Sequence, residues 1–288
     1  MASSPAKIIS LEHKFDLALL SDLGTEREQN EDSSGSFIEG ANSALFAVAD
    51  GIGGYEGGEV ASSMAIDLTL AAYRDSPAGW GPSKRLYRAV QRANISIHNK
   101  ALSVPELRMM GTTLTVAVVE KGTLFAAHVG DCRLHLVRGG RITQVTRDHT
   151  IVAERVRFGL MSERDALDHP ARSTLSRCVG HDLIVSVDRI TMPLILGDRL
   201  ILSSDGLHGV IDPQEMESLT RGMEAEAACR ALIDSANRRG TADNLTCAIF
   251  KMLAPTGNKP AASWRERVRS FLPYAWNSKG SSSFGGEP

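Results

Sequence analysis

Short apolar segments of strand length recur along the chain, and several run straight into an aspartate. They read "DLALLSD" (16–22), "ALFAVAD" (44–50), "TLTVAVVE" (113–120), "TLFAAHVGD" (123–131), "LIVSVD" (183–188), "RLILSSD" (199–205) and "NLTCAIFKM" (244–252). "RLHLVRGGRITQV" (133–145) adds two alternating segments joined by Gly139-Gly140, a strong hairpin signal. Many of the connections are short, so the sheets should be largely antiparallel. Three longer segments carry helical periodicity. Val60, Met64, Leu68 and Ala71 share one face of 57–74, and Leu86, Val90, Ala93 and Ile97 one face of 83–102. Ala228, Leu232 and Ala236 share one face of 224–239, which runs into Gly240, a C-terminal stop. Sheet layers covered by helices follow from this order.

The aspartates narrow the chemistry. Asp50, Asp131 and Asp205 each close an apolar run, and Asp243 directly precedes one. Side chains at strand ends can converge on one rim of a sheet, and carboxylates gathered there repel one another unless a cation neutralises them. All-oxygen donors, with no His-x-x-x-His and no Cys-x-x-Cys, favour a hard cation such as Mg²⁺ or Mn²⁺ over zinc. For any single Asp-Gly, a turn is the simpler reading; the four together favour metal.

Bulk charge excludes little else. Lys and Arg (32) nearly balance Asp and Glu (34), so nothing points to nucleic acid. The chain shows no signal-peptide pattern and no apolar run of spanning length, and its four cysteines are scattered. A cytoplasmic protein with buried thiols is expected. Residues 1–13 read as an N-terminal extension and 14–254 as one catalytic domain. Within that domain the charged stretch 146–182, with short helical pieces, forms a flap-like insertion. Residues 255–288 read as a linker, a short amphipathic segment and a flexible tail. Trp264, Trp276 and the arginines between them offer 264–276 for docking on a partner or a membrane surface.

Six blocks in fixed order, "GTEREQNEDS" (24–33), "FAVADGIGG" (46–54), "MGTTLTVAVV" (110–119), "HVGDCRLHLVRGG" (128–140), "LILSSDGL" (200–207) and "GTADNLT" (240–246), resemble the metal-dependent protein serine/threonine phosphatases of the 2C type in their compact bacterial form. The resemblance spans about residues 14–252. It implies an α+β fold, a four-layer αββα sandwich of two mostly antiparallel β-sheets packed face to face with helices on both outer faces. It implies two or three divalent metal ions, Mn²⁺ or Mg²⁺. Asp50 would bridge two of them, with Gly51 offering its carbonyl and Asp205 and Asp243 completing the first. Glu31 and Asp32 would hold the waters of the second, and Asp131 with Asp205 would bind a weaker third. Arg27 would grip the substrate phosphate, its guanidinium fork meeting two phosphoryl oxygens. Asn244 would orient Asp243 from behind.

Some members of the family carry a histidine two residues after the bridging aspartate as a leaving-group acid; here Ile52 stands there. Cys132 replaces the usual serine, and His208 departs from a small polar residue in a way expected to alter the rim of the site. His128 and His149 read as structural, with His149 positioning the insertion. Arg155, Arg157 and Arg164 offer charge to acidic or phosphorylated surfaces. The expected function is hydrolysis of phosphoserine and phosphothreonine on proteins by a metal-activated water, opposing a Ser/Thr protein kinase and acting on its substrates. Two rivals are a metal-dependent phosphodiesterase or nuclease, which the balanced charge disfavours, and a phosphoprotein-binding regulator with little or no catalysis. The regulator would be signalled by loss of Asp50, Asp205 or Asp243, and none is lost.

Overall fold

A computed structural model describes residues 14–53 and 57–254. The extension 1–13, the stretch 255–288 and its docking segment lie outside the described residues. Two antiparallel sheets carry the chain. The five-stranded sheet runs β1 (Phe15–Asp22), β11 (Leu245–Met252), β10 (Arg199–Ser203), β7 (Arg133–Arg138) and β8 (Arg141–Gln144). The six-stranded sheet runs β2 (Asp32–Ile38), β3 (Ser43–Ile52), β5 (Leu114–Glu120), β6 (Thr123–Val129) and β9 (Asp188–Pro193), with β4 (Gly111–Thr112) pairing the end of β3. The β7–β8 hairpin turns on Gly139 and Gly140 at φ +58° and +74°, the left-handed pair that two-residue hairpins favour.

Side-chain alternation builds the layers. In β3, Ala44, Phe46 and Val48 face the other sheet, and Leu45, Ala47 and Ala49 face helices. In β1, Leu17 and Leu19 face inward, and Ala18 and Leu20 outward. The inner faces meet in a core where Phe250 stacks between Phe15 (5.3 Å) and Phe46 (5.7 Å). On the outer face of the six-stranded sheet lie α1 (Gly57–Arg74) and α2 (Pro82–Ser103), the latter started by proline, which is pre-set for the first helical turn. On the other outer face lie α6 (Pro213–Thr220) and α7 (Ala225–Arg238), which stops beside Gly240 at φ +71°. The described chain is the expected αββα arrangement.

One local expectation is corrected, and one strand appears that no sequence pattern marked. Residues 183–187 form no strand, because Asn94 Nδ2 takes the carbonyls of Asp182 and Leu183 and Gln91 Nε2 that of Val185. The edge strand begins at Asp188 instead. Conversely, the polar "DSSGSFI" of β2 is a full strand, paired along its length with β3. The insertion contains α3 (Ile151–Arg157) and α4 (Glu163–Leu167), with Thr150 and Ser162 accepting cap hydrogen bonds from Ala153 and Asp165.

Candidate metal centre

The inner-face rows turn polar at one end of the sandwich. Two residues beyond Val48 is Asp50; before Ala248 come Thr246 and Asn244; beyond Leu202 is Ser204; before Thr115 is Thr113. The strand period of two that fills the core with apolar groups therefore carries polar groups into the same gap at this end. Asp32 stands directly across the ladder from Asp50, so both carboxyls share one face. Asp205 opens the short helix α5 (Asp205–His208), and Asp131 sits in the turn after β6.

These elements enclose a cavity of about 260 Å³, whose lining includes Arg27, Glu31, Asp50, Gly51, Asp131, Asp205, Asp243 and Asn244. Eight of the nine sequence-predicted site residues thus reach one space. Asp32 is the exception. It lies beneath the wall, buried, and accepts a 2.6 Å hydrogen bond from Ser204 Oγ.

The electrostatics are strained. Burial, then Asp205 and Asp148, pushes Asp131 up to about 7. Burial also lifts Asp32 to about 7, against the hydrogen bond from Ser204. Asp50 opens on the cavity yet lies deep enough that desolvation, followed by repulsion from Asp32, Asp205 and Asp131, raises it well above the carboxylate range. Asp205 is raised as well, by burial first and then by Asp243. Glu31 is raised mainly by burial, with Arg27 pulling it back. Among the described residues Arg27 is the one basic side chain in the wall, and its Nη2 lies 2.9 Å from Asp243 and Nη1 3.7 Å from Glu31.

This donor set fits a hard divalent cation. The ligating atoms are oxygens, the carboxylates lack enough countercharge, and the backbone at Gly51 is pressed against its neighbours. A Cβ there would lie 2.1 Å from Gly58 O and 2.7 Å from Glu31 O, so only glycine brings this carbonyl to the cavity. Among the described residues, no three His, Cys, Asp or Glu side chains close into a preformed cage.

The scaffold behind the carboxylates is dense. Asp50 N–H donates to Thr113 Oγ1 (2.9 Å), and the Asp50 carbonyl accepts from Thr112 Oγ1 (2.8 Å) and Thr113 N (2.8 Å). Asn244 Nδ2 donates to the carbonyls of Leu23 and Gln29 (2.9 Å each), and its Oδ1 accepts from Glu31 N–H (2.8 Å). That clamps the 23–31 loop, which carries Arg27 and Glu31, onto the start of β11. Asn244 N–H also donates to Asp243 Oδ1 (2.8 Å).

Ile52 lines the cavity, so no acid stands at that point. Cys132 lies buried against Thr113 Oγ1 at 3.1 Å, and burial raises its thiol well above the usual range, which keeps it protonated. His208 does not reach the rim: its Nδ1 lies 3.1 Å from Ser203 Oγ on the far side of α5. From the insertion, Arg155, Arg157 and Arg164 stay outside the wall, whereas Ser173 and Leu175 line it. Sequence reasoning missed both, because nothing in a polar stretch marks which residue faces inward.

Comparisons with known proteins identify the family. A family profile described as protein phosphatase 2C matches residues 25–252. The serine/threonine phosphatase stp of Listeria welshimeri is 35% identical over 234 residues, covering 80% of this chain and 93% of the relative. Protein phosphatase PhpP of Streptococcus pneumoniae is 31% identical over 241 residues, covering 83% and 98%. The crystal structure of the Mycobacterium tuberculosis serine/threonine phosphatase PstP/Ppp superposes with a TM-score of 0.76 at 34% identity, covering 83% of this chain and 99% of that one. A PstP catalytic domain in complex with two manganese ions superposes at 0.74 with 32% identity, with the same coverage. The chain belongs to the protein phosphatase 2C family and is a metal-dependent serine/threonine phosphatase.

Proposed function

We propose that Asp50 bridges two divalent cations, Mn²⁺ or Mg²⁺, with the Gly51 carbonyl, Asp205 and Asp243 completing the first. Glu31, in the wall, and Asp32, beneath it, hold the waters of the second, and Asp131 with Asp205 takes a third. When bound, such cations acidify water towards neutral pH and draw charge from phosphoryl oxygens. Arg27 supplies the guanidinium fork for the phosphate, held over the cavity by Asp243 and Glu31. The substrates are proteins phosphorylated on serine or threonine, and the activity opposes a Ser/Thr kinase. No helix among the described residues is long and apolar enough to cross a membrane; free cysteines at 132, 178, 229 and 247 suit a reducing cytoplasm.

The observation that carries the site assignment is the gathering of Asp50, Asp131 and Asp205 about one cavity whose only basic lining residue, among those described, is Arg27. Removing Asp50 or Asp205 should leave that cavity unable to hold its cations. The test is Mn²⁺-dependent hydrolysis of a phosphothreonine peptide by the wild type, Asp50→Asn and Asp205→Asn. EDTA should abolish activity, and either substitution should cut it by orders of magnitude. Full activity in both variants sinks the assignment.

A further inference from the structure

His149 stands where the insertion leaves the sandwich, and it is buried. Its backbone N–H donates to Gly130 O (2.8 Å), and its ring Nδ1 accepts from Gly130 N–H (3.1 Å). Both polar groups of Gly130 are therefore held by one residue. Gly130 itself sits at φ +103°, and a Cβ there would lie 2.5 Å from Thr113 Cβ, so this turn is packed without slack. The next residue is Asp131.

The other side of His149 belongs to the insertion. Its carbonyl accepts from Ser176 N–H (2.8 Å), Ile151 N–H donates to Thr174 O (2.9 Å), and Thr150 bridges Leu175. Ser173 and Leu175 on that segment line the cavity. Because Nδ1 accepts, the proton resides on Nε2, which faces Asp188 Oδ2 at 3.3 Å. Asp188 is tied in turn to Arg177 Nη1 (3.0 Å), and Ser176 Oγ donates to Glu154 Oε1 (3.0 Å). The ring also packs on His128, 4.6 Å between centroids.

We propose that His149 is a positioning residue: its imidazole fixes the Gly130–Asp131 turn while its backbone carbonyl holds Ser176, so that the aim of Asp131 and the Ser173–Leu175 wall are set together. The inference rests on the reading that Asp131 holds a cation. Linkage then requires reciprocity: a phosphopeptide that orders the wall tightens the cation at Asp131, and that cation tightens the peptide.

H149N and H149Q separate this role from simple packing. An asparagine amide oxygen replaces Nδ1 and keeps the grip on Gly130 N–H. A glutamine amide replaces Nε2 and leaves methylenes facing Gly130. Calorimetric titration of Mn²⁺ into metal-free full-length protein should show the weakest binding step in H149Q loosened about tenfold, with the tighter steps unchanged. H149N should stay within about threefold of wild type at that step. At saturating Mn²⁺, H149Q should recover kcat but keep a raised KM for a phosphothreonine peptide. Equal behaviour of the two variants, or parallel weakening of every step with a lowered melting temperature, overturns the proposal. D131N isolates the underlying reading: if it binds as many Mn²⁺ as wild type, no cation sits at Asp131, whatever the His149 variants do.

Discussion

Asn244→Ala tests how far the site depends on one amide. The side chain makes three hydrogen bonds to a loop more than two hundred positions away, two donated to the carbonyls of Leu23 and Gln29 and one accepted from Glu31 N–H. At a net worth of about 1 kcal/mol each, their loss costs about 3 kcal/mol, more if the freed groups stay out of water. For a domain of this size that lowers the melting temperature by about 6–12 °C. The functional loss should be larger in proportion, because the released loop carries Arg27 and Glu31. Mn²⁺ affinity and kcat/KM should each fall about ten- to a hundredfold. Asn244→Asp is the sharper control. It is nearly isosteric and keeps an acceptor for Glu31 N–H, but turns oxygen onto two carbonyls and adds charge to a cavity already rich in it. Circular-dichroism melting of metal-free and Mn²⁺-loaded protein, with steady-state kinetics on a phosphopeptide, reads both effects. If Asn244→Ala melts within about 1 °C of wild type and keeps its kcat/KM, the clamp does not hold the loop.

Other perturbations follow from the same geometry. Asp32 and Asp131, raised to about 7 chiefly by burial, hold protons in the folded metal-free protein that the unfolded chain releases near pH 4. Stability is therefore lost as pH rises through 7: metal-free protein should be about 3 kcal/mol less stable at pH 8 than at pH 6, and Mn²⁺ should erase the drop. A metal-free melting temperature that climbs from pH 6 to pH 8 would contradict the raised carboxylates. Gly51→Ala forces a Cβ to within 2.1 Å of Gly58 O, so backbone must move; Mn²⁺ affinity should fall by an order of magnitude or more in calorimetry, and wild-type binding would refute the close fit. Arg27→Lys keeps the charge but loses the fork, and should raise KM for a phosphopeptide about tenfold while leaving Mn²⁺ binding in place. An unchanged KM removes Arg27 from phosphate recognition.

The parts of this molecule legible in its sequence are those where a local pattern rules. Apolar runs of strand length at 16–22, 44–50 and 244–252 mark strands, and the aspartates beside them mark the polar end, since Asp50 continues the row of Ala44, Phe46 and Val48. What escaped was decided by partners distant in sequence. β2 carries serines and a glycine with no apolar row, and becomes a strand because β3 offers a full ladder and because Gly35 lets Ile66 and Leu70 of α1 approach; a Cβ there would meet Ile66 at 2.5 Å. Residues 183–187 have strand-like composition, yet α2 side chains claim their carbonyls first. Ser173 and Leu175 reach the cavity because backbone bonds tie 149–151 to 174–176, a pairing that leaves no pattern in the chain.

The shared row of core and carboxylate has a consequence for how such a gene can change length. Deleting one residue between Ala44 and Val48 would turn Asp50 out towards α1 and α2 and swing Gly51 into its place, while exposing Phe46's position to the wrong layer. Core and chemistry would fail in the same stroke, with no intermediate that folds but does not bind. Insertions and deletions are therefore excluded from the strands twice over, and tolerated length variation is confined to segments such as 157–172, which touch neither row.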